Sequence, residues 1–379
     1  MTDTSKRNEN HTSKHLYRRS ADKGGGYRRT SGFSPDSNVS TIVQLDTDEG
    51  ISGYGEVCPL GTHYGRGWGE ASVSGANLLA KMIVGEDPMQ IEKLNRLWDV
   101  KFKEDLYVKA PFDAALWDIA GKAAGRPVCH LLGGRYEGDI PMYRTVHLFK
   151  QHEDTPESWA RRCQDYRAAG SPHFQLKGAA TADAAIATIE AVCDILAPGE
   201  LALCDANGGW SFPDAVRIAA GVRNLPVIIE QPCRTMEECI EFRKRCWNPI
   251  KLDEVIETTQ DLLRAWNAGA MDYCTIKISR VGGLSKARRM RNFCVDLGIG
   301  AVPDDTWGSE FVSSALAHFA WSTPTKYRLN ATDLTDYVTV VTADGYAPGE
   351  NGYLGFSDAP GLGLTPRMNV LGKPDYVVE

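Results

Sequence analysis

The sequence predicts an α/β chain: an α+β segment followed by a barrel of alternating strands and helices. Three observations carry that prediction. Short apolar strands recur between helical stretches from about residue 140 onward. Nearly all of them end on a charged residue, one β/α unit after the last. The first 130 or so residues read differently, as a β-hairpin followed by helices.

The hairpin is "NVSTIVQLDTDEGISGYGEVC", residues 38–58, in which two alternating runs flank a "DEG" turn. Apolar residues then recur at helical spacing in "ASVSGANLLAKMIVG", "PMQIEKLNRLWDVKF" and "APFDAALWDIAGKAAG". After "LLGG" come the strands "IPMYRTV" (140–146), "HFQLK" (173–177), "LALCDA" (201–206), "VIIEQ" (227–231), "IKLDE" (250–254), "YCTIKIS" (273–279) and "GAVPDD" (300–305). A weaker eighth lies in "YRLNATD" (327–333). Eight such units predict a (β/α)₈ barrel, whose active site lies at the C-terminal strand ends. An open doubly wound sheet is the competing arrangement, but no strand is followed by G-x-G-x-x-G or a P-loop. The tail, from "APGLGLTP" to "PDYVVE", is expected to return to the first domain.

Composition narrows the function classes. A net charge of −7 argues against nucleic-acid or anionic-membrane partners, which favour basic patches. No run of about twenty apolar residues exists, so no span is expected. The polar start, with Asp3, Glu9 and Asp22, reads as a frayed terminus and not as a leader. Ten scattered cysteines without a C-x-x-C pair read as buried thiols in a reducing cytoplasm.

The strand ends carry the chemistry. From Lys177 to Asp205, Glu230, Asp253, Lys277 and Asp305 the gaps are 28, 25, 23, 24 and 28 residues, so all these groups point into one bowl. Capping alone does not require each charge at the same strand height. Asp205, Glu230 and Asp253 come from adjacent strands and would repel unless a cation lay among them. Oxygen ligands without His or Cys select Mg²⁺. Lys177 and Lys277 lie on opposite walls and could each reach one face of an α-carbon. Schiff-base chemistry is the rival role for these lysines.

In order and spacing, "LKG", "DANGGW", "IEQPC", "LDE", "IKISRVGGL" and "ALWDIAGKAAGRPVCHLLGG" resemble the enolase superfamily, muconate-lactonizing-enzyme subgroup, from about residue 38 to the C-terminus. That resemblance implies a modified (β/α)₇β TIM-like barrel under an α+β cap completed by the C-terminal tail. The expected boundaries are 1–136 for the cap, 137–340 for the barrel and 341–379 for the returning segment. It also implies one Mg²⁺ per subunit on Asp205, Glu230 and Asp253, with Lys177 and Lys277 as acid and base around an enediolate. A homo-oligomer of even number is implied too. Within the subgroup, "YRRTSG", "CPLGTHYG", "HFQLKG" and "DDTWGSEFVSSALAHFA" resemble cis-3-hydroxy-L-proline dehydratases and the neighbouring proline-betaine epimerases. Many relatives carry Lys-x-Lys on the second strand, where this chain has Gln175 before Lys177. Gln175 is therefore a candidate substrate donor.

An amino-acid substrate would place its carboxylate on Mg²⁺ and its ammonium near an acceptor. Asp305 is the expected acceptor, with Trp307 offering either a π face or plain packing. Tyr64, and Tyr27 or Ser31, are expected to close the site from cap loops. The expected reaction is dehydration of cis-3-hydroxy-L-proline to Δ¹-pyrroline-2-carboxylate. Racemisation or 2-epimerisation of proline, hydroxyproline or a proline betaine is the alternative. A sugar-acid dehydratase and a non-catalytic amino-acid binder stand behind it.

Overall fold

In a computed structural model, the structure describes residues 10–21, 37–61, 64, 67–146, 154–179 and 181–379. The first unit is an antiparallel sheet of β1 (Asn10–Ala21), β2 (Ser37–Thr47) and β3 (Ser52–Val57), covered by helices α1 (Gly69–Ala80), α2 (Ile91–Lys101) and α3 (Leu106–Ala124). Within the polar run read as a frayed terminus, residues 10–21 form β1, paired along its length with β2. Backbone pairing on both edges compensates for its weak hydrophobic pattern, because a ladder needs amides and not apolar side chains. The far edge of β1 pairs with the chain's last strand, so the tail completes this sheet. Val43 and Leu45 of the sheet pack with Leu79, Leu94, Trp98, Phe112 and Ile119 of the three helices. Gly55 permits the contact between β3 and α3, since a Cβ there would stand 2.0 Å from the Pro111 carbonyl oxygen.

After a short α4 (Val128–Leu131) the chain enters the barrel. Its strands are β4 (Tyr143–Val146), β5 (His173–Lys177), β6 (Leu201–Asp205), β7 (Val227–Glu230), β8 (Ile250–Leu252), β9 (Tyr273–Lys277) and β10 (Gly300–Asp304), parallel and neighbouring in chain order. Between them run α5 (Pro156–Ala168), α6 (Ala182–Cys193), α7 (Phe212–Gly221), α8 (Met236–Arg243), α9 (Thr259–Asn267), α10 (Ile278–Val281) and α11 (Leu284–Leu297), and α12 (Glu310–Trp321) follows β10. Thr155, Thr181, Ser211, Thr235 and Thr258 each cap the following helix through a side-chain oxygen. Five successive helix starts are thus fixed by local sequence on the face where the site lies.

The weak eighth strand closes the ring. Arg328 bridges in parallel to Ala301 beside β10, and Ala331 bridges to Met142 beside β4. Tyr143 donates its N–H to the Ala331 carbonyl at 3.0 Å. The curled seven-stranded sheet with this eighth segment is the expected (β/α)₇β barrel. A small pair, β11 (Ala343–Asp344) and β12 (Thr365–Pro366), precedes β13 (Tyr376–Val378), the strand that pairs with β1. All ten cysteines are free and nine are buried, as read from their spacing. Among the described residues, no helix is long and apolar enough to cross a membrane.

Three buried carboxylates fasten the cap to the rest. Glu56 of β3 accepts from Ser309 N (2.9 Å) and Ser309 Oγ (2.6 Å) at the start of α12, and also from Ser40 Oγ. Asp113 of α3 accepts from Ser285 N (2.9 Å) and Oγ (2.5 Å) at the start of α11. Asp118 accepts from Tyr54 N (2.9 Å) and Leu362 N (2.8 Å) and pairs with Lys122. Burial pushes the pKa of all three up, and the hydrogen bonds they accept oppose that shift. Glu56 and Asp113 also meet the positive ends of helix dipoles. Replacing Glu56 with Ala strands these buried donors and should lower stability by about 2–4 kcal/mol, read by thermal or denaturant unfolding. A loss under about 0.5 kcal/mol would show that Glu56 does not fasten the seam.

Candidate active site

A small, partly enclosed cavity opens at the C-terminal ends of the barrel strands. Tyr143 and Thr145 reach it from β4, Gln175 and Lys177 from β5, Asp205 from β6, Lys277 from β9 and Asp304 from β10. Asp253 enters just after β8, and Leu60 and Tyr64 come from the cap. Thr332, Leu334 and Tyr337 complete the wall from the closing segment.

Strand register brings the expected residues together. Lys177 pairs with Asp205 in the ladder, and Asp205 with Glu230. Lys177 Nζ lies 2.5 Å from Asp205 Oδ2. The glycine after this lysine has a steric reason: a Cβ on Gly178 would stand 3.0 Å from Trp210 Nε1 and 3.2 Å from the Ala206 Cα. Gln175 is engaged on both sides, donating to Glu230 Oε2 (2.9 Å) and accepting from Thr145 (3.0 Å). It fastens a carboxylate, and its amide carries a second N–H, so these bonds do not exclude the expected role as a substrate donor on the cavity wall.

On the opposite wall, Lys277 Nζ donates to Asp304 Oδ2 (2.7 Å) and lies 3.6 Å from Asp253. Here the structure departs from expectation. Although Asp305 touches the cavity, its two oxygens accept from Ser279 N, Ser279 Oγ and Thr306 N. The carboxylate that meets Lys277 is Asp304, its register partner. Asp305 pins the loop instead. Tyr64 Oη donates to Asp253 Oδ2 (2.9 Å), so the cap loop touches the barrel's carboxylates directly. Trp307 is buried, its ring centroid 5.4 Å from that of Tyr337 at a tilt of 41°, and both residues line the cavity. Tyr27 and Ser31 lie outside the described residues.

Several site residues escaped the sequence reading. Arg280, one turn after Lys277, donates to Asp253 Oδ1 at 2.5 Å. Asn207 bridges Asp205 and Glu254, donating at 2.9 Å to each. Lys251 lies beside Glu230, and its position two residues before Asp253 on a strand was the available signal. Thr332 lies in the weak eighth strand read from the sequence but carries no charge to single it out, and Tyr337 follows in a segment without periodicity.

The charges do not cancel. Counted as ionised, Asp205, Glu230, Asp253, Glu254, Asp304 and Asp305, on and beneath this bowl, face Lys177, Lys251, Lys277 and Arg280, a formal excess of two negative charges among the described residues. Burial first, then Asp205, pushes Glu230 up to about 7. Burial first, then Asp253, pushes Glu254 up to about 8. Burial alone would raise Asp253 too, but Arg280 and the lysines hold it well below the usual carboxylate range. Burial would lower Lys277, and Asp253 and Asp304 more than reverse that, so its ammonium form is favoured. Glu230 Oε1 and Glu254 Oε2 are buried without a hydrogen-bond partner. The partnerless Glu254 Oε2, a Glu230 Oε1 met by the Lys251 ammonium at 3.0 Å without a hydrogen bond of normal geometry, and the formal excess of two negative charges suit a hard divalent cation. Among the described residues, however, no three His, Cys, Asp or Glu side chains converge as a bound ion would draw them; each carboxylate turns to a cationic or amide partner instead.

Comparison with known proteins agrees with this site. Residues 31–133 match the mandelate racemase/muconate lactonizing enzyme N-terminal domain, and residues 158–370 match the enolase C-terminal domain-like family. A cis-3-hydroxy-L-proline dehydratase of Roseibium aggregatum is 41% identical over 92% of this chain and 94% of its own. An N-succinyl-L-Arg/Lys racemase of Bacillus cereus is 26% identical over 88% of this chain and 89% of its own. A Roseovarius nubinhibens mandelate racemase/muconate lactonizing enzyme, solved in complex with magnesium, superposes with a TM-score of 0.92 at 31% identity, covering 98% of this chain and all of the other.

The raised carboxyl groups make a pH prediction. Glu230 and Glu254 keep protons in the folded chain that the unfolded chain releases above about pH 4.5. Their contribution is full below that value and lost as pH rises through about 7 and 8. With a chelator present, the thermal midpoint should fall by roughly 5 °C or more between pH 5 and pH 8. A midpoint that rises across this window would contradict the excess of buried negative charge.

Proposed function

Because the chain belongs to the mandelate racemase/muconate lactonizing enzyme family of the enolase superfamily, we propose that it is a magnesium-dependent hydro-lyase that converts cis-3-hydroxy-L-proline to Δ¹-pyrroline-2-carboxylate through an enediolate. The observation that carries the reading is the pair of lysines on opposed barrel walls with the carboxylate row between them. Asp205, Glu230 and Asp253 would hold Mg²⁺, which when bound anchors the substrate carboxylate and stabilises the negative charge that builds on it.

This chain's own residues do the rest. Lys177 takes the α-proton, and Lys277 donates a proton to the departing 3-hydroxyl, which leaves as water. The division follows from their partners: Lys177 leans on Asp205, a proposed ligand, whereas Lys277, besides lying 3.6 Å from Asp253, keeps Asp304, a carboxylate outside the ligand set that favours its ammonium form. In the cis isomer the hydroxyl and carboxylate share a ring face, so the α-hydrogen and the hydroxyl lie on opposite faces. Elimination is then anti, as opposed lysines require. The resulting enamine tautomerises to the cyclic imine. The secondary ammonium of the substrate is taken by Asp304 and the π faces of Trp307 and Tyr337, in place of the Asp305 acceptor read from the sequence.

Where the substrate lacks a leaving group, the same lysines would invert the α-carbon, and the racemase relative favours keeping that second reading. The cap (1–136), barrel (137–340) and returning tail (341–379) are proposed as functional units, assembled into a homo-oligomer. A cytoplasmic setting is proposed on the ten free thiols.

Proton NMR in D₂O with Mg²⁺ tests the reading. cis-3-Hydroxy-L-proline should disappear into pyrroline carboxylate, and Lys177→Met or Lys277→Met should each reduce kcat/KM by about 10³-fold or more. Deuterium entering the α-position of an otherwise intact substrate would establish the epimerase reading. An active Lys277→Met enzyme would sink the two-lysine scheme.

A further inference from the structure

Lys251 has no place in the scheme above, yet it is among the most deeply buried charges in the molecule, at 0% exposure. It lies on β8 two residues before Asp253, on the same face of the strand. Its Nζ is 3.0 Å from Glu230 Oε1 and 5.3 Å from the ring centroid of Tyr143, which belongs to β4 across the barrel. The ammonium therefore lies inside the barrel. It does not line the cavity, so it does not touch substrate. Neither Lys251 Nζ nor Glu230 Oε1 has a hydrogen bond of normal geometry among the described residues, so their contact is one of charge with charge.

The ladder gives the contact its meaning. Lys177 pairs with Asp205, Asp205 with Glu230, and Glu230 with Lys251. Four adjacent strands present Lys, Asp, Glu and Lys in one row, two carboxylates between two ammonium groups. Gln175 fastens the other oxygen of Glu230. Burying an ammonium is costly, and a position needing only volume is better filled by Leu or Met. What Lys251 adds is charge.

We propose that Lys251 is the internal counter-cation of the metal site: a positioning residue that holds Glu230 and keeps the carboxylate row intact while no divalent cation is bound. The inference rests on Glu230 being a magnesium ligand, as proposed above. A divalent cation supplies the same compensation from the cavity side. Lys251 therefore stabilises the metal-free protein more than the metal-loaded one, and by linkage it weakens Mg²⁺ binding.

The test is a double-mutant cycle on the full-length protein: wild type, Lys251→Met, Glu230→Gln and the double variant, unfolded thermally with chelator and across a MgCl₂ titration. Without metal, Lys251→Met should lower the midpoint by roughly 5–10 °C, and adding Glu230→Gln should recover most of that loss. The Mg²⁺-induced rise should be larger in Lys251→Met than in wild type, with Mg²⁺ binding at least about threefold tighter by calorimetry. Additive single effects, or an equal or smaller Mg²⁺ response in Lys251→Met, would overturn the proposal. If Lys251→Met does not fold, a folded double variant supports it and an unfolded one overturns it. A wild type indifferent to Mg²⁺ overturns the ligand reading of Glu230 and the counter-cation role with it, even where the metal-free cycle shows coupling.

Discussion

The constraint on which the rest of the structure depends is the crowding of like charge at one end of a closed barrel. Parallel strands in register bring their C-terminal residues to one height, and here those residues are carboxylates on neighbouring strands. Out of water, such groups cannot all ionise without cations among them. Lys177, Lys251, Lys277 and Arg280 answer that demand in part. Burial and the remaining deficit together push the carboxyl groups of Glu230 and Glu254 up, as expected of a site built around an ion. The amide contacts of Gln175 and Asn207 serve the same end, since each donor fixes a carboxylate that would otherwise swing away from its neighbour.

The cap obeys a related rule at its seam. Glu56, Asp113 and Asp118 are buried carboxylates too, but each meets backbone N–H groups instead of another acid. At α11 and α12 those N–H groups are the unsatisfied donors of a helix start, so one carboxylate closes an orphaned terminus and a domain seam together. The placement matters for the site. The Glu56 contact holds Ser309, two residues from Trp307, and Cys58 nearby accepts from Thr306 through its carbonyl oxygen at 3.2 Å. The aromatic wall of the cavity is thereby tied to the strand that leads into the Tyr64 loop.

Much of this was legible in the sequence because barrel periodicity and charge are both linear signals. One unit of about 25 residues carries each strand end back to the same height, so Lys177, Asp205, Glu230, Asp253 and Lys277 could be aligned without coordinates. What failed was phase at finer scale. "PDD" ends its strand on two carboxylates, and period-2 alternation does not say which faces inward when the strand ends between them; register with Lys277 settles it for Asp304. Lys251 was hidden in an apolar run, although its separation of two from Asp253 places both on one face. Tyr337 comes from the irregular segment after α12, where no repeat constrains position, and Thr332 sits at the end of the weak eighth strand without a charge to mark it. β1 was misread because its pairing rests on the backbone, with little apolar alternation to betray it.

The same charge reasoning bears on the choice between an amino acid and a sugar acid. A divalent cation cancels the two excess negative charges and brings the bowl near neutrality. An amino-acid zwitterion then enters without adding net charge, its carboxylate facing the ion and its ammonium facing Asp304. A sugar acid would bring an anion with no cationic group to set against Asp304, a buried carboxylate whose present partner is Lys277. The imbalance grows once Lys177 gives up its own proton to serve as base, for the bowl is then short of one positive charge. A protonated amine relieves that deficit and an anionic sugar acid deepens it. The electrostatics of the strand ends thus favour a substrate that carries its own cation beside the α-carbon, which is where a cyclic imino acid has it.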